Sequence, residues 1–544
     1  MTRPVCRLIA AVCLCAAGLC AACLPASGQI RPSAITQLQA ATVRISAAGG
    51  GISSGVFVTP TSEILTASHG IPQGTREIRI RLTDGTSHPA VLLERDVQAD
   101  IALLRLQPAA PADQAGPPLP APAWLPLALS SPAPGEILVA LGYPARESSA
   151  HPPAIRLGTV RTADPTSLRT SCMLTVGDSG GPLINRLGQL AGLHCRIGAG
   201  PESNLHVAPQ SLKKLLRQAK IEQPPQPTPL PPLWDTPSQW QLSPAMLSQV
   251  ASSTLELIAH PSSTEVLGLA TRLDPRFASA KLSLLPPGLP LHGRFSSGTV
   301  RLLQIVRSNP SLDLAILECS DWQSLPPLNL LPAATPQLGD VVFAVTGLNT
   351  TDGQCRMIGP GVIARVDHTE PAAMSRLGIQ LQQQSGQPGP AVLEAAPGSP
   401  AAMAGLQPGD LLLSLNQNPI PSLQMLIRHL QPCQPGDWIT LEYLRSAEKS
   451  RAFLQVGHDP AVIFDRLEYL DGRAGAISLR RTGFQGVVQH DIVLDPKHCG
   501  GLLISSAGRI VGWNVARRAR ESSLGLSLRA IQDEVQKAAE TARM

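Results

Sequence analysis

Gly177-Asp178-Ser179-Gly180-Gly181-Pro182 places a serine on a tight, glycine-flanked turn, where a hydroxyl can be presented to a substrate carbonyl. On such a turn the backbone N–H groups of Gly177 and Ser179 can converge on the oxyanion that develops during attack. Glycine suits the site because the backbone must approach the substrate closely and adopt dihedrals that a Cβ obstructs. Serine is a weak nucleophile by itself, so the chemistry needs a base and a group that orients the base. His69, in Thr66-Ala67-Ser68-His69, and Asp100, in Ala99-Asp100-Ile101-Ala102-Leu103-Leu104, supply both upstream, in the order His, Asp, Ser.

These stretches, together with Gly51-Ile52-Ser53-Ser54-Gly55-Val56-Phe57-Val58 ahead of the histidine, resemble the trypsin-like serine peptidases. Their short spacing resembles the bacterial HtrA (Deg) branch. The resemblance implies two six-stranded antiparallel barrels with the triad in the cleft between them. His69 would take the proton of Ser179, and Asp100 would hold the imidazole in its working tautomer. In such folds the base of the pocket for the side chain before the scissile bond lies six residues ahead of the nucleophile. That position is Met173, between Cys172 and Leu174, which implies cleavage after Val, Ala or Leu rather than Lys or Arg.

The second half of the chain repeats the first. Gly268-Leu269-Ala270-Thr271 matches Gly55-Val56-Phe57-Val58, and Leu312-Asp313-Leu314-Ala315-Ile316-Leu317 matches Ala99 to Leu104. Lys497-His498-Cys499-Gly500-Gly501-Leu502 aligns with Gly177 to Pro182, so Cys499 replaces the serine. Counting back from Asp313 by the His69-to-Asp100 interval of 31 reaches Leu282, and the base is missing. Leu282, Asp313 and Cys499 are therefore expected to mark a degenerate triad, with His490 and His498 the nearby imidazoles that match no triad position.

Asp100 to Ser179 spans 79 residues and Asp313 to Cys499 spans 186, so about a hundred residues are inserted in the second half. The insertion contains Arg376-Leu377-Gly378-Ile379-Gln380-Leu381, Pro397-Gly398-Ser399-Pro400-Ala401-Ala402 and Gln407-Pro408-Gly409-Asp410-Leu411-Leu412, which resemble a PDZ domain. The resemblance implies that Leu377, Gly378, Ile379 and Gln380 form a carboxylate loop and an open strand edge able to capture a peptide C-terminus. The bland alternative is a PDZ groove filled by its own chain.

Short apolar/polar alternations such as Thr42-Val43-Arg44-Ile45 and Glu77-Ile78-Arg79-Ile80-Arg81-Leu82, separated by turn residues, predict an all-β architecture. The expected fold is mainly β: two trypsin-like double-barrel domains in tandem, the second interrupted by a PDZ domain. The expected order is a signal peptide at 1–28, an active peptidase domain at 29–220, and a Pro-rich linker at 221–242. A pseudopeptidase domain follows at 243–374 and 458–544, with the PDZ domain at 375–457 between its two parts.

Arg3 and Arg7, the apolar run Leu8 to Leu24 and the small residues Ala26-Ser27-Gly28 read as a cleavable export signal, which places the mature chain in the periplasm or outside the cell. Cys20-Ala21-Ala22-Cys23 leaves lipid attachment at Cys23 as the alternative. No later stretch is long and apolar enough to span a membrane as a helix. Aromatic residues make up only 3% of the chain and the net charge is +5, which argues against stacking on bases or a polyanionic partner. Past the signal segment no CxxC spacing occurs, HExxH is absent, and neither a metal nor another cofactor is expected. The implied activity is hydrolysis of peptide bonds in polypeptide substrates, with a quality-control role and an oligomeric assembly left open. The competing expectation is a catalytically silent peptide-binding scaffold.

Overall fold

The computed structural model describes residues 28–108, 122–198, 200, 203–224, 231–235, 240–319, 321, 328–457 and 466–542. The expected signal peptide lies outside the described residues except for Gly28, as do parts of both proline-rich connections.

Four closed six-stranded antiparallel barrels and one PDZ-type sheet make up the molecule. The first barrel runs from the strand Thr42–Ala47 to Ile101–Leu106, and the second from Ile137–Gly142 to Asn204–Val207. Many strands are buried on both faces, as in Glu63–Ala67, so clean alternation fades there. One face fills a barrel: Val43, Ile45, Phe57, Ile64 and Leu104 in the first, Leu138, Ala140, Leu168 and Leu183 in the second. The other face builds a shared core in which Val56, Leu65, Ile101 and Leu103 meet Val139, Leu141 and Leu193. This inter-barrel core fixes how the two barrels sit across their cleft.

The third barrel, from Thr254–Ile258 to Leu314–Glu318, has the strand order of the first. The fourth has the strand order of the second, but its second strand, Gln354–Glu370, and its third, Phe484–His490, are separated by residues 371–483. Within that interval lies the PDZ sheet, with strands from Ile379–Gln382 to Glu448–Gln455. Arg376 and Gly457 exchange backbone hydrogen bonds of 3.0 Å and close its base. The insertion thus enters at a hairpin of the fourth barrel, where it leaves the ladder hydrogen bonds of the other strands intact.

The two halves share a core. Ile30 N–H donates to Gly339 O at 2.9 Å, Val341 N–H donates to Gly28 O at 3.0 Å, and Ile35, Leu38, Trp234 and Trp240 belong to one apolar cluster with Val341 and Val362. The polar part of the contact is unusually buried. Asp491 of the second half accepts the N–H groups of Leu157 and Val362, both at 2.6 Å, and Arg518 Nη1 donates to Glu147 at 2.9 Å. Arg518 and Arg365 beside Glu147 overcome its burial and hold its carboxyl down at about 2. Such groups must be paired, because a lone charge at this depth costs several kcal/mol.

Cys172, Cys195, Cys319, Cys355, Cys433 and Cys499 are all unpaired. Among the described residues no helix is long and apolar enough to cross a membrane.

Candidate active site

The first barrel delivers His69 and Asp100. His69 sits in a single 3₁₀ turn, Ser68–Gly70, directly after the strand Glu63–Ala67, and Asp100 immediately precedes the paired strand Ile101–Leu106. Asp100 adopts φ +56°, a left-handed conformation that Asp tolerates better than most residues. Ser68 N–H donates to its carbonyl at 3.1 Å and holds that bend. One Asp100 oxygen accepts the His69 backbone N–H at 2.9 Å, and the other pairs with His69 Nδ1 at 2.7 Å. His69 Nε2 lies 2.9 Å from Ser179 Oγ. Burial pushes the Asp100 carboxyl up, but hydrogen bonds from the His69 ring and N–H and from Cys195 outweigh it and keep the carboxyl below its ordinary range. An ionised Asp100 fixes the imidazole so that Nε2 faces the hydroxyl.

The second barrel delivers Ser179, on the turn before the strand Pro182–Ile184. Gly177 at φ +101° and Gly180 at φ +83° need glycine. A Cβ on Gly177 would collide with the Tyr143 carbonyl, and one on Gly180 with the Ser54 carbonyl. Ser54, from the first barrel, clamps this turn: its N–H donates to Ser179 O at 2.8 Å and its Oγ donates to Gly177 O at 2.8 Å. Asp178 is buried and takes Arg156 Nη1 at 2.7 Å and the Thr175 N–H at 2.8 Å. The N–H groups of Gly177 and Ser179 donate to no described group, as donors reserved for an oxyanion would.

A cleft of about 960 Å³ opens beside His69, Asp100 and Ser179, walled by Ile71, Pro72, Leu92, Val97 and Ile197. Met173, expected under the substrate side chain, is 4% exposed and lies outside this cleft. Three contributors were missed by sequence reasoning. Cys195 Sγ lies 3.1 Å from Asp100 Oδ2, Arg156 holds Asp178, and Leu470 reaches the cleft from the second half. None of the three carries a local motif, since each arrives through long-range strand pairing or packing.

The corresponding place in the second half is closed. The ladder pairs Ala67 with Ile101 and Lys281 with Leu314. Leu282 N–H bonds Asp313 O as Ser68 N–H bonds Asp100 O, so Ser283, not Leu282, stands where His69 does. The segment between strand and aspartate is one residue shorter in the second half, and the count of 31 therefore overshoots. The base is still absent. Ser283 N–H donates to Asp313 at 2.7 Å, Ser283 Oγ does so at 2.8 Å, and the Lys281 ammonium neutralises the carboxylate.

Cys499 is fully buried, and burial pushes its thiol up. Its N–H donates to Pro496 O at 3.0 Å, and the Lys497 N–H to Asp495 at 3.1 Å, so both donors matching Gly177 and Ser179 are consumed. Trp438 Nε1 and Gln455 Nε2 of the PDZ domain donate to Ser283 O at 3.0 and 2.8 Å and cover the site. His490 is engaged by Asn514 at 3.0 Å.

In the PDZ domain the strand Ile379–Gln382 is the sheet edge, and no described strand pairs with its outer side. Gly378 at φ +70° packs against Ser399, where a Cβ would clash. Leu377 is buried, Ile379 half-buried, and Gln380 donates to Glu394 at 2.9 Å. A backbone edge of this kind can take an added strand.

Residues 53–193 match the trypsin-like peptidase domain model and residues 375–456 the PDZ domain model. The mitochondrial serine protease HTRA2 of Bos taurus is 34% identical over 151 residues, 26% of this chain and 30% of that protein. Serine protease HTRA1 of Xenopus laevis is 29% identical over 161 residues, 27% and 32% of the two chains. The putative protease Do-like 14 of Arabidopsis thaliana is 26% identical over 193 residues, 32% and 42%. The aligned region thus spans under half the length of these relatives. The crystal structure of a serine endoprotease from Yersinia pestis aligns with 78% of this chain and 96% of its own at 14% identity and a TM-score of 0.29, which adds nothing to the topology already described. Motifs, sheet topology and these matches together identify residues 53–193 as a trypsin-like peptidase domain of the HtrA (Deg) type and residues 375–456 as a PDZ domain.

Proposed function

We propose that this chain is an exported serine endopeptidase that hydrolyses peptide bonds of polypeptides through Ser179, His69 and Asp100. The observation that carries the reading is the unbroken chain from Asp100 through both ring nitrogens of His69 to Ser179 Oγ. Ser179 Oγ attacks the carbonyl while His69 Nε2 takes its proton, and Asp100 stabilises the imidazolium. The free N–H groups of Gly177 and Ser179 receive the oxyanion, and His69 returns the proton to the leaving amine. A water activated by the same imidazole then releases the acyl group.

The second half serves as a pseudopeptidase, its closed site leaving it a structural and substrate-recruiting role. The PDZ edge at Ile379 would take free C-termini of substrates, which suits capture of damaged or unprotected polypeptides. A fluorophosphonate, which reacts with activated serines, tests the reading directly. Labelling of Ser179 that disappears in His69→Ala is expected. An unlabelled wild-type protein would instead favour a silent peptide-binding scaffold. In an active enzyme, Ser179→Ala removes on the order of 10⁶ in kcat.

A further inference from the structure

We propose that Leu470, contributed by the second half of the chain, is a specificity-determining residue of the peptidase cleft in the first half; this rests on the peptidase reading above. Leu470 lies in the helix Arg466–Arg473, which follows the PDZ domain and precedes the third strand of the fourth barrel. It lines the same cleft as His69, Ser179, Val97 and Ile197, although it is almost three hundred residues from Ser179 in sequence.

The position is fixed from both halves. Asp471, whose side chain is 4% exposed, accepts Arg146 Nη2 of the first half at 2.8 Å and the Arg520 N–H of the second at 2.9 Å. Arg520 then donates to Leu470 O and to Gly198 O, both at 3.4 Å, and so ties the helix backbone to the segment that continues from Ile197. Arg517 Nη2 donates to Ala474 O at 3.1 Å and holds the next turn. These bonds restrain the backbone on either side of Leu470, so the side chain is presented to the cleft on a rigid support. Its presence there is not a chance contact of a surface helix.

The chemistry of the cleft defines what it would take. Its walls mix the aliphatic Ile71, Pro72, Leu92, Val97, Ile197 and Leu470 with polar side chains, and Arg95 and Arg196 are the cationic groups among the lining residues. Arg95 is engaged by Ile71 O at 2.7 Å, and Arg196 is exposed. Met173 is not among the residues lining this cleft, so with Met173 under the residue before the scissile bond, Leu470 would meet a different substrate residue. An aliphatic substrate side chain would be desolvated against Leu470, Val97 and Ile197, and removing methyl and methylene contacts from such a pocket changes discrimination by about tenfold or more.

The test uses the full chain and internally quenched peptides that share one scissile bond but carry Leu, Glu or Lys at each flanking position in turn. Wild type should prefer Leu at one of these positions. Leu470→Arg should lower the Leu-to-Glu ratio of kcat/KM there by about tenfold, chiefly through KM. Leu470→Ala should weaken the preference, and Leu470→Met should restore it. An unmoved ratio, or an equal fall for every peptide, would overturn the proposal and leave Leu470 a structural residue. Fluorophosphonate labelling of wild-type Ser179 runs alongside: labelling with an unmoved ratio overturns only the role of Leu470, whereas no labelling overturns the peptidase reading as well.

Discussion

Arg156 Nη1 donates to Asp178 Oδ2 at 2.7 Å, and these side chains are 2% and 1% exposed. Asp178 is the residue next to Ser179, so this closed ion pair braces the turn that presents the hydroxyl. Glu521 and Asp491 of the second half add their field at Arg156. The second half thereby contributes to the electrostatic setting of the Ser179 turn. Arg156→Met would leave Asp178 buried without its cation, which costs about 3–5 kcal/mol. The expected outcome is a large fall in denaturation midpoint together with loss of turnover. The double variant Arg156→Met with Asp178→Asn, which removes both charges, should recover much of the stability. Equal midpoints for single and double variants would contradict the pairing.

Cys499→Ala should leave hydrolysis unchanged. The thiol is fully buried, its neighbours Lys281 and Asp313 are committed to each other, and among the described residues no imidazole bonds it. Iodoacetamide should modify Cys499 more slowly than it does a free cysteine at neutral pH, because only the thiolate reacts and burial disfavours it. Rapid alkylation with a parallel fall in activity would restore a catalytic role to the second site.

The triad, the repeat and the insertion were legible because each is written in contiguous residues: a glycine turn, an Asp before an apolar strand, a PDZ signature. The exact equivalent of His69 was not, since it depends on a ladder register that one residue shifts, from Leu282 to Ser283. Arg156, Cys195 and Leu470 were invisible for a different reason. Each acquires its role from partners that the fold brings together over long sequence separations, and none has a distinctive neighbour in the chain. The double burial of strands such as Glu63–Ala67 also removed the alternation that marks a half-exposed strand.

Acid should destabilise the protein through its buried imidazoles. Burial drives His206 down to about 3 and His490 down to about 4, against an ordinary value near 6.5. Below the ordinary value the unfolded chain takes up protons that the folded chain refuses, so stability is full above pH 6.5 and falls as pH drops toward 4. Asp491, raised to about 6 by burial, opposes this between its ordinary range and pH 6, because there the folded state binds the extra proton. Melting temperatures at pH 7 and 4.5 should fall less steeply in His490→Gln than in wild type. A slope that is identical in the two proteins would show that His490 does not stay neutral when buried.

The PDZ edge should bind peptides with free apolar C-termini weakly, by adding a strand beside Ile379–Leu381. Amidation of the peptide should abolish the binding. Gly378→Val should do the same, because φ is +70° there and a Cβ would strike Ser399. Titration calorimetry of the full chain with both peptide forms measures this. Equal affinity for acid and amide would mean that the carboxylate loop is not used.

Cleavage after Lys or Arg should be rare. Met173, at the expected base of the pocket, is flanked by Cys172 and Leu174, and all three are at most 4% exposed. Three carboxylates near this region already have partners. Asp178 is paired with Arg156, Asp100 with His69, and both oxygens of Asp491 accept backbone N–H groups. A substrate cation entering here would lose its hydration without gaining a counter-charge, at a cost of several kcal/mol even after relaxation. Val, Ala or Leu carries no such cost, and methionine's flexible thioether can adjust to each of them. Mass spectrometry of casein digests should therefore show cuts mainly after medium apolar residues. Met173→Asp, which places a carboxylate at the base, should raise the share of cuts after Lys and Arg. A wild-type digest dominated by cuts after basic residues would mean that an acid outside this set forms the pocket.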